Sequence, residues 1–334
     1  MNSVQRSQFK DLFLQETPWI DVRAPIEFDL GSVPGATNLP LLTDNERHQI
    51  GLCYKTHGQS AAVELGHQLV SGEIRAARLR SWMDQIRQRP KSIVYCFRGG
   101  LRSQIVQTWL LEQGLDRPIV DGGYKALRRF FIETLEESVA RSEFLVVSGP
   151  TGSGKTRYLH SQQTSFIDLE DLARHRGSAF GALPDPQPSQ VNFENILALA
   201  FLRLSDGHGP VLIENESRMI GQRALPEILH RKMQSSKKLV LKIGLEERVE
   251  NIFRDYILES SLGVDGDLQK FEDFRRAVRA ISRKLGGART QEILSDLDIS
   301  HQEFQSGLGL ESNRHWIRKL LVWYYDPLYD RSSK

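Results

Sequence analysis

Two stretches of this chain combine residue types and spacings that can do chemistry. The first is Tyr95-Cys96-Phe97-Arg98-Gly99-Gly100-Leu101-Arg102-Ser103. A cysteine followed by a Gly-Gly pair lets backbone N–H groups curl toward an anion, and a helix start behind it adds positive field. The same field favours the thiolate, the form in which cysteine is a nucleophile. A buried structural cysteine is the competing reading, since free Cys is among the most buried residue types. Two arginines and two glycines are poor core material, so Cys96 is read as catalytic, with Arg98 and Arg102 beside it. The second stretch is Gly149-Pro150-Thr151-Gly152-Ser153-Gly154-Lys155-Thr156. Gly149, Gly152, Ser153 and Gly154 open N–H groups toward a diphosphate. Lys155 brings a point charge to its terminal oxygens, and Thr156 can ligate Mg²⁺.

Each stretch needs a strand before it and a helix after it. Ser92–Tyr95 is a short apolar run of the kind that forms a buried parallel strand, and residues 104–111 carry apolar positions at helical spacing. Phe144–Val147 is the strand before the glycine-rich loop, which makes Gly149–Thr156 a P-loop in its proper context. Further strands are expected at Trp19–Val22, Pro118–Val120, Ser165–Asp168, Pro210–Ile213 and Leu239–Ile243. Helices are expected at 4–16, 60–71, 73–88, 125–140, 190–204, 246–258 and over most of 265–325. Residues 24–57 are rich in Pro, Gly and Asn and read as irregular.

Other residues join the second site. Pro210–Ile213 ends in Glu214-Asn215-Glu216-Ser217-Arg218, where a P-loop protein often places a metal-organising acid. Glu214, Glu216 and Arg218 are therefore candidates, as is Arg176 in the polar stretch Leu172–Gly181. A solvated connector is the competing reading of that stretch.

The 334 residues suffice for two domains with proper cores. Hydrophobic content of 40% and charged content of 26% are those of a water-soluble globular chain. Two cysteines are too few for a disulfide framework or a zinc cluster. No apolar run is long enough for a membrane span and no basic-apolar leader opens the chain, so the expectation is a cytoplasmic protein without a membrane partner. The net charge of +2 does not by itself demand nucleic acid. Arginine clusters at Arg75–Arg89 and Arg275–Lys284 suit either RNA contact or solvated helix faces.

The Cys96 loop resembles that of rhodanese domains, together with Ile20-Asp21-Val22-Arg23, Gly35–Pro40 and Val120–Ala126. One departure stands out: five residues separate Cys96 from Arg102, one more than the usual sulfurtransferase loop. That length matches cysteine-dependent phosphatases and suits a phosphate-sized anion. With the P-loop added, the chain closely resembles the bacterial tRNA 2-selenouridine synthase family. Ile20–Leu39, Cys96–Ser103, Asp168–Gly181, Glu214–Gly221 and Tyr324–Tyr329 carry the likeness. It implies an α/β fold: a rhodanese-like parallel-sheet domain at 1–135, then a P-loop NTPase-like parallel-sheet domain with a helical C-terminal extension at 141–334. It also implies conversion of wobble 2-thiouridine in tRNA to 2-selenouridine. Geranyl diphosphate alkylates the sulfur, and selenophosphate then displaces the geranylthio group. Cys96 would carry the selenium as Cys-S-Se⁻ or guide it, Mg²⁺ is a possible companion of the diphosphate, and a selenophosphate-supplying enzyme is a possible partner. The alternative is a cysteine-dependent phosphatase or sulfurtransferase joined to a nucleotide kinase-like domain.

Overall fold

The computed structural model describes residues 2–204, 209–259 and 264–332. The chain forms two compact units, each an α/β layer structure. Among the described residues no helix is long and apolar enough to cross a membrane.

The first unit is built on five parallel strands: β1 Ser3–Val4, β2 Trp19–Asp21, β3 Thr37–Asn38, β4 Ile93–Tyr95 and β5 Ile119–Val120. Their order is β1-β5-β4-β2-β3, which puts β4 at the centre and Cys96 at its C-terminal end. Ile20, Val94 and Val120 are fully buried, as strands covered on both faces require. Arg23 is buried with them. Its guanidinium donates to Asp21 at 2.6 Å and to the Gly31 carbonyl at 2.7 Å, and it lies 4.0 Å from the centroid of the Tyr124 ring. A buried charge needs such pairing.

Residues 24–57 are irregular only in part, chiefly over 31–36 and 39–43. Pro25–Leu30 is a helix, and Asp44–Leu69 is a long helical segment bent at Gly58, where φ is 83°. Thr43 starts it by accepting from the Glu46 N–H while the Glu46 carboxylate accepts from the Thr43 N–H, a reciprocal cap. The helix Gln190–Arg203 packs with the first unit although it lies beyond the P-loop in sequence. There Asn195 donates to the Ser32 carbonyl at 2.8 Å and to Tyr124 Oη at 3.1 Å.

The second unit carries a four-stranded parallel sheet. Its strands are β6 Phe144–Ser148, β7 Phe166–Ile167, β8 Val211–Glu214 and, after a short antiparallel hairpin of β9 Met219–Ile220 with β10 Arg223–Ala224, β11 Lys237–Val240. The order β11-β6-β8-β7 puts the P-loop strand next to the strand that ends in Glu214. Helices Leu245–Phe253, Val264–Leu285, Gly287–Gln305 and Asn313–Leu320 form a separate core around Phe253, Val278, Leu297, Trp316 and Leu321.

Candidate functional site

Each unit holds one anion cradle. In the first, β4 delivers Cys96 to the start of the helix Leu101–Leu111. Cys96 is buried, with its sulfur 3.3 Å from Ser103 Oγ, and Ser103 Oγ donates to the Gly100 carbonyl at 2.9 Å. The cradle is clamped from behind by the turn at Gly122-Gly123. Tyr124 N–H donates to the Cys96 carbonyl at 2.8 Å, and Lys125 N–H to that of Phe97 at 3.0 Å. Only glycine fits at Gly123, where φ is 57° and a Cβ would lie 2.4 Å from the Cys96 oxygen. With these carbonyls tied back, the N–H groups of the loop turn the other way. Among the described residues, no protein acceptor takes the N–H groups of residues 97–103, whereas that of Gln104 donates to the Gly100 carbonyl. Successive free N–H groups around a buried sulfur are an anion nest.

The two arginines differ in their placement. Arg98 is exposed, its guanidinium 5.9 Å from the Phe97 ring centroid. Arg102 is paired with Glu27 at 2.6 and 3.1 Å, and Arg47 reaches the same carboxylate at 3.0 Å. Burial would push the Glu27 carboxyl up, but Arg102 and Arg47 hold it below the usual carboxylate range. Arg102 thus braces the loop through Glu27, a partner with no motif to mark it in the sequence.

In the second unit, β6 runs into the P-loop and the helix Lys155–Ser161 follows. At Gly152 φ is 80° and a Cβ would lie 2.9 Å from the Arg248 carbonyl, so a side chain is excluded. Arg248 and Asn251 donate to the carbonyls of Thr151 and Gly152 at 2.9 and 3.0 Å. Those contacts draw the loop's oxygens outward. Among the described residues, the N–H groups of Gly152, Gly154, Lys155 and Thr156 have no protein acceptor. Ser153 is buried, its hydroxyl without a partner. The Lys155 ammonium lies 3.5 Å from the Gly149 carbonyl, a loose tether for a charge awaiting phosphate oxygens.

Behind the loop is a carboxyl cluster. Thr156 Oγ1 donates to Glu214 Oε1 at 2.5 Å and lies 3.4 Å from Glu170 Oε2. Glu214 and Glu216 are buried, and the Gly177 backbone runs against the carboxyls of Glu170 and Glu216. Burial first, and then repulsion between neighbouring carboxyls, pushes Glu170 and Glu214 up to about 8. Burial pushes Glu216 up to about 7, with Lys155 acting in the opposite sense. Glu170 is absent from the candidates read off the sequence. Its signal was the run of acids Asp168, Glu170 and Asp171 directly after β7.

Arg176 and Arg218 lie differently. Arg176 donates to the Asp255 carbonyl and stacks 4.8 Å from the Tyr256 ring centroid, while its neighbour Gly177 meets the acids. Arg218 is exposed and sits 3.5 Å from Glu227.

The donor set suits Mg²⁺ arriving with a diphosphate. Mg²⁺ usually takes one or two carboxylates and keeps waters and phosphate oxygens as its other ligands. Thr156 Oγ1 and Glu214 are positioned for that, and the buried Glu214 Oε2 has no partner. Among the described residues no group of three or more His, Cys, Asp or Glu forms a metal cage.

The raised carboxyls set a pH dependence. A Glu that titrates near 4.5 when unfolded and near 8 when folded holds its proton more tightly in the fold. The stability this contributes is fully present below 4.5 and is lost as pH rises toward 8. Thermal unfolding of the ligand-free protein should therefore shift to lower temperature across that window. Glu214→Gln should flatten the fall, and Mg²⁺ with inorganic diphosphate should oppose it. A melting temperature that rises between pH 5 and 8 would contradict this.

The family model described as the tRNA 2-selenouridine synthase AAA domain matches residues 142–334, and the rhodanese-like domain model matches residues 5–129. The first match includes the helix Gln190–Arg203 that packs with the first unit. Among similar curated proteins is the tRNA 2-selenouridine synthase of Nitrosomonas europaea, 44% identical over 95% of this chain and 89% of that protein. Those of Bdellovibrio bacteriovorus and Marinobacter nauticus are 45% and 46% identical. They cover 98% and 96% of this chain and 92% and 90% of their own lengths.

Proposed function

Because the chain belongs to the tRNA 2-selenouridine synthase family, we propose that it exchanges the sulfur of wobble 2-thiouridine in tRNA for selenium in two steps, one in each cradle. In the P-loop unit the 2-thio sulfur attacks C1 of geranyl diphosphate. The C–O bond breaks, diphosphate leaves with the electron pair, and the uridine N3 proton is released. Lys155, Thr156 and the loop N–H groups hold the leaving diphosphate, and Glu214 with Thr156 would hold Mg²⁺. When bound, that ion supplies further countercharge to the leaving group.

In the Cys96 unit, selenium replaces the geranylthio group. A C2–Se bond forms, the C2–S bond breaks, and geranylthiolate leaves with the electron pair. The selenium arrives bonded to phosphorus and water cleaves that bond to give phosphate, so the net exchange needs no oxidant or reductant. Cys96, in a nest sized for a phosphate-like anion, guides the selenophosphate so that selenide is released against C2 as water takes the phosphoryl group, and no S–Se bond forms. Arg102 braces the loop and Arg98 stands at its exposed side. Supply of so reactive a donor calls for a selenophosphate-producing partner, and access to tRNA places the enzyme in the cytoplasm.

The observation that carries this reading is the pairing of a diphosphate cradle with a cysteine-centred cradle in one chain. Alkylation turns a poor leaving sulfur into a good one, which a P-loop can serve by binding a diphosphate without hydrolysing ATP. The phosphatase alternative needs a carboxylic acid beside Cys96 to protonate a leaving group. Glu27, bound to Arg102, is held ionised by its arginines and has no proton to give.

Tight tRNA contact is assigned to exposed Arg80, Arg87 and Arg89 in one unit and Arg279, Arg283 and Lys284 in the other. Arg275 is excluded from that role, being buried among Glu272, Asp298 and His301. Staged incubation tests the order of steps. Thiolated tRNA with geranyl diphosphate alone should yield only the S-geranyl nucleoside, and later selenophosphate should convert it to 2-selenouridine. Full conversion with no geranyl diphosphate, followed by nucleoside mass spectrometry, would sink the two-step order.

A further inference from the structure

The first unit contains a cavity of about 310 Å³ that the chemistry above leaves unassigned. It lies between the two arms of the segment Asp44–Leu69, which part at Gly58, and the start of the helix Leu101–Leu111. Ile50 and Tyr54 come from one arm, Val63 from the other, and Leu101 and Trp109 from the helix that begins at the Cys96 cradle. The lining is mostly apolar, with Gln59, His67 and Arg102 as its polar exceptions. Arg102, its one arginine, is already neutralised by Glu27. Tyr54 and Leu101 remain 58% and 46% exposed, a large apolar rim for a protein to leave in water.

Size and chemistry restrict what fits. The volume is at the small end of the roughly 300–1,000 Å³ range of ligand pockets. A nucleobase would need partners for its polar edges, and the walls offer few. A branched hydrocarbon chain of about ten carbons needs none, and its burial is favoured in proportion to the apolar area covered. Because Leu101 and Arg102 belong both to this wall and to the anion nest, a chain seated here ends beside the Cys96 loop.

We propose that this cavity binds the prenyl chain carried on the wobble base during selenation, so that the Cys96 unit selects alkylated over unalkylated tRNA. The proposal rests on the two-step reading. The chain enters attached to sulfur at C2, fixes the base against the nest, and leaves with its sulfur as the prenyl thiolate when the C2–S bond breaks. The diphosphate cradle then has no part in recognising the second substrate.

The test uses the full-length protein, selenophosphate, and tRNA alkylated on the wobble sulfur with a methyl, a five-carbon or a ten-carbon prenyl group. Conversion to 2-selenouridine is followed by nucleoside chromatography. Each buried carbon contributes roughly fourfold, so kcat/KM for the ten-carbon substrate should exceed that for the five-carbon one by roughly a thousandfold. Val63→Phe fills the cavity and should collapse the ratio between the ten-carbon and methyl substrates toward one. Tyr54→Ala, at the exposed rim where folding is not at stake, should lower the same ratio by a smaller factor. A melting curve establishes that each variant is folded. If the wild-type protein converts all three alkylated substrates with equal kcat/KM, or folded variants keep the wild-type ratio, the cavity assignment is overturned and the two-step reading stands. If thiolated tRNA is converted and no alkylated tRNA is, both are overturned.

Discussion

Lys155→Ala should lower the rate of geranyl transfer to thiolated tRNA by roughly a hundred- to a thousand-fold, the usual cost of removing one preorganised donor from developing charge. The ammonium sits 3.5 Å from the Gly149 carbonyl at the mouth of the P-loop, in the field of the Glu170, Glu214 and Glu216 carboxyls. In the proposed step, as the C–O bond of geranyl diphosphate breaks, negative charge grows on the diphosphate, and Lys155 is the P-loop cation placed to meet it. The loss should therefore appear mainly in kcat, because charge is larger in the transition state than in the bound substrate. A second effect acts in the same direction. Lys155 opposes the upward push on Glu170, Glu214 and Glu216, so its removal leaves those carboxyls more protonated and poorer at organising Mg²⁺. The variant should still selenate tRNA supplied already geranylated, since the proposed sequence gives that step to the other cradle. Single-turnover assays with each substrate separate the halves. Normal geranylation by Lys155→Ala would assign the P-loop to some other ligand.

The parts of the two cradles that are contiguous in sequence were legible there. Gly149–Thr156 and Cys96–Ser103 each hold their anion-binding groups on one strand-loop-helix, so spacing alone exposes them. Glu214 and Glu216 were legible for a related reason: Glu214 ends the strand next to β6 and Glu216 follows just past it, and an apolar run that stops in acids is a visible pattern. What escaped depends on groups that meet only in the fold. Glu27 reaches Arg102 across 75 positions, and Arg248 reaches the Thr151 carbonyl across 97. Neither has a local signature. The helix Gln190–Arg203 reads as part of the P-loop domain because it follows it, yet Asn192 and Asn195 bond to Ser32 of the first unit. Residues 44–57 misled differently. Glycine and asparagine suggested a loop, although Thr43 and Glu46 stand at the spacing of a reciprocal helix-start cap. The helix they form walls the prenyl-sized cavity, so the sequence held no hint of that site.

Cys96→Ala should separate the two halves from the other side, with an effect as large as total loss of selenation. Among the described residues its sulfur is the one thiol set among the free N–H groups of residues 97–103. In the proposed sequence, alkylation of the tRNA uses the sulfur of the base itself and a diphosphate cradle, and no protein thiol enters it. Selenation needs selenium delivered to C2, and the only other cysteine, Cys53, lies half-buried on the bent helical segment rather than in a nest. Cys96→Ser should fail with Cys96→Ala, because an alcohol neither ionises near neutral pH nor handles selenium. Cys53→Ala should complete both steps. The most direct measurement is the nucleoside composition of thiolated tRNA after incubation with Cys96→Ala, geranyl diphosphate and selenophosphate. The expected product is S-geranyl-2-thiouridine, formed at the wild-type rate and accumulating without 2-selenouridine. Formation of 2-selenouridine at the wild-type rate would mean that selenium reaches the base without this thiol, and the division of labour between the two cradles would be wrong.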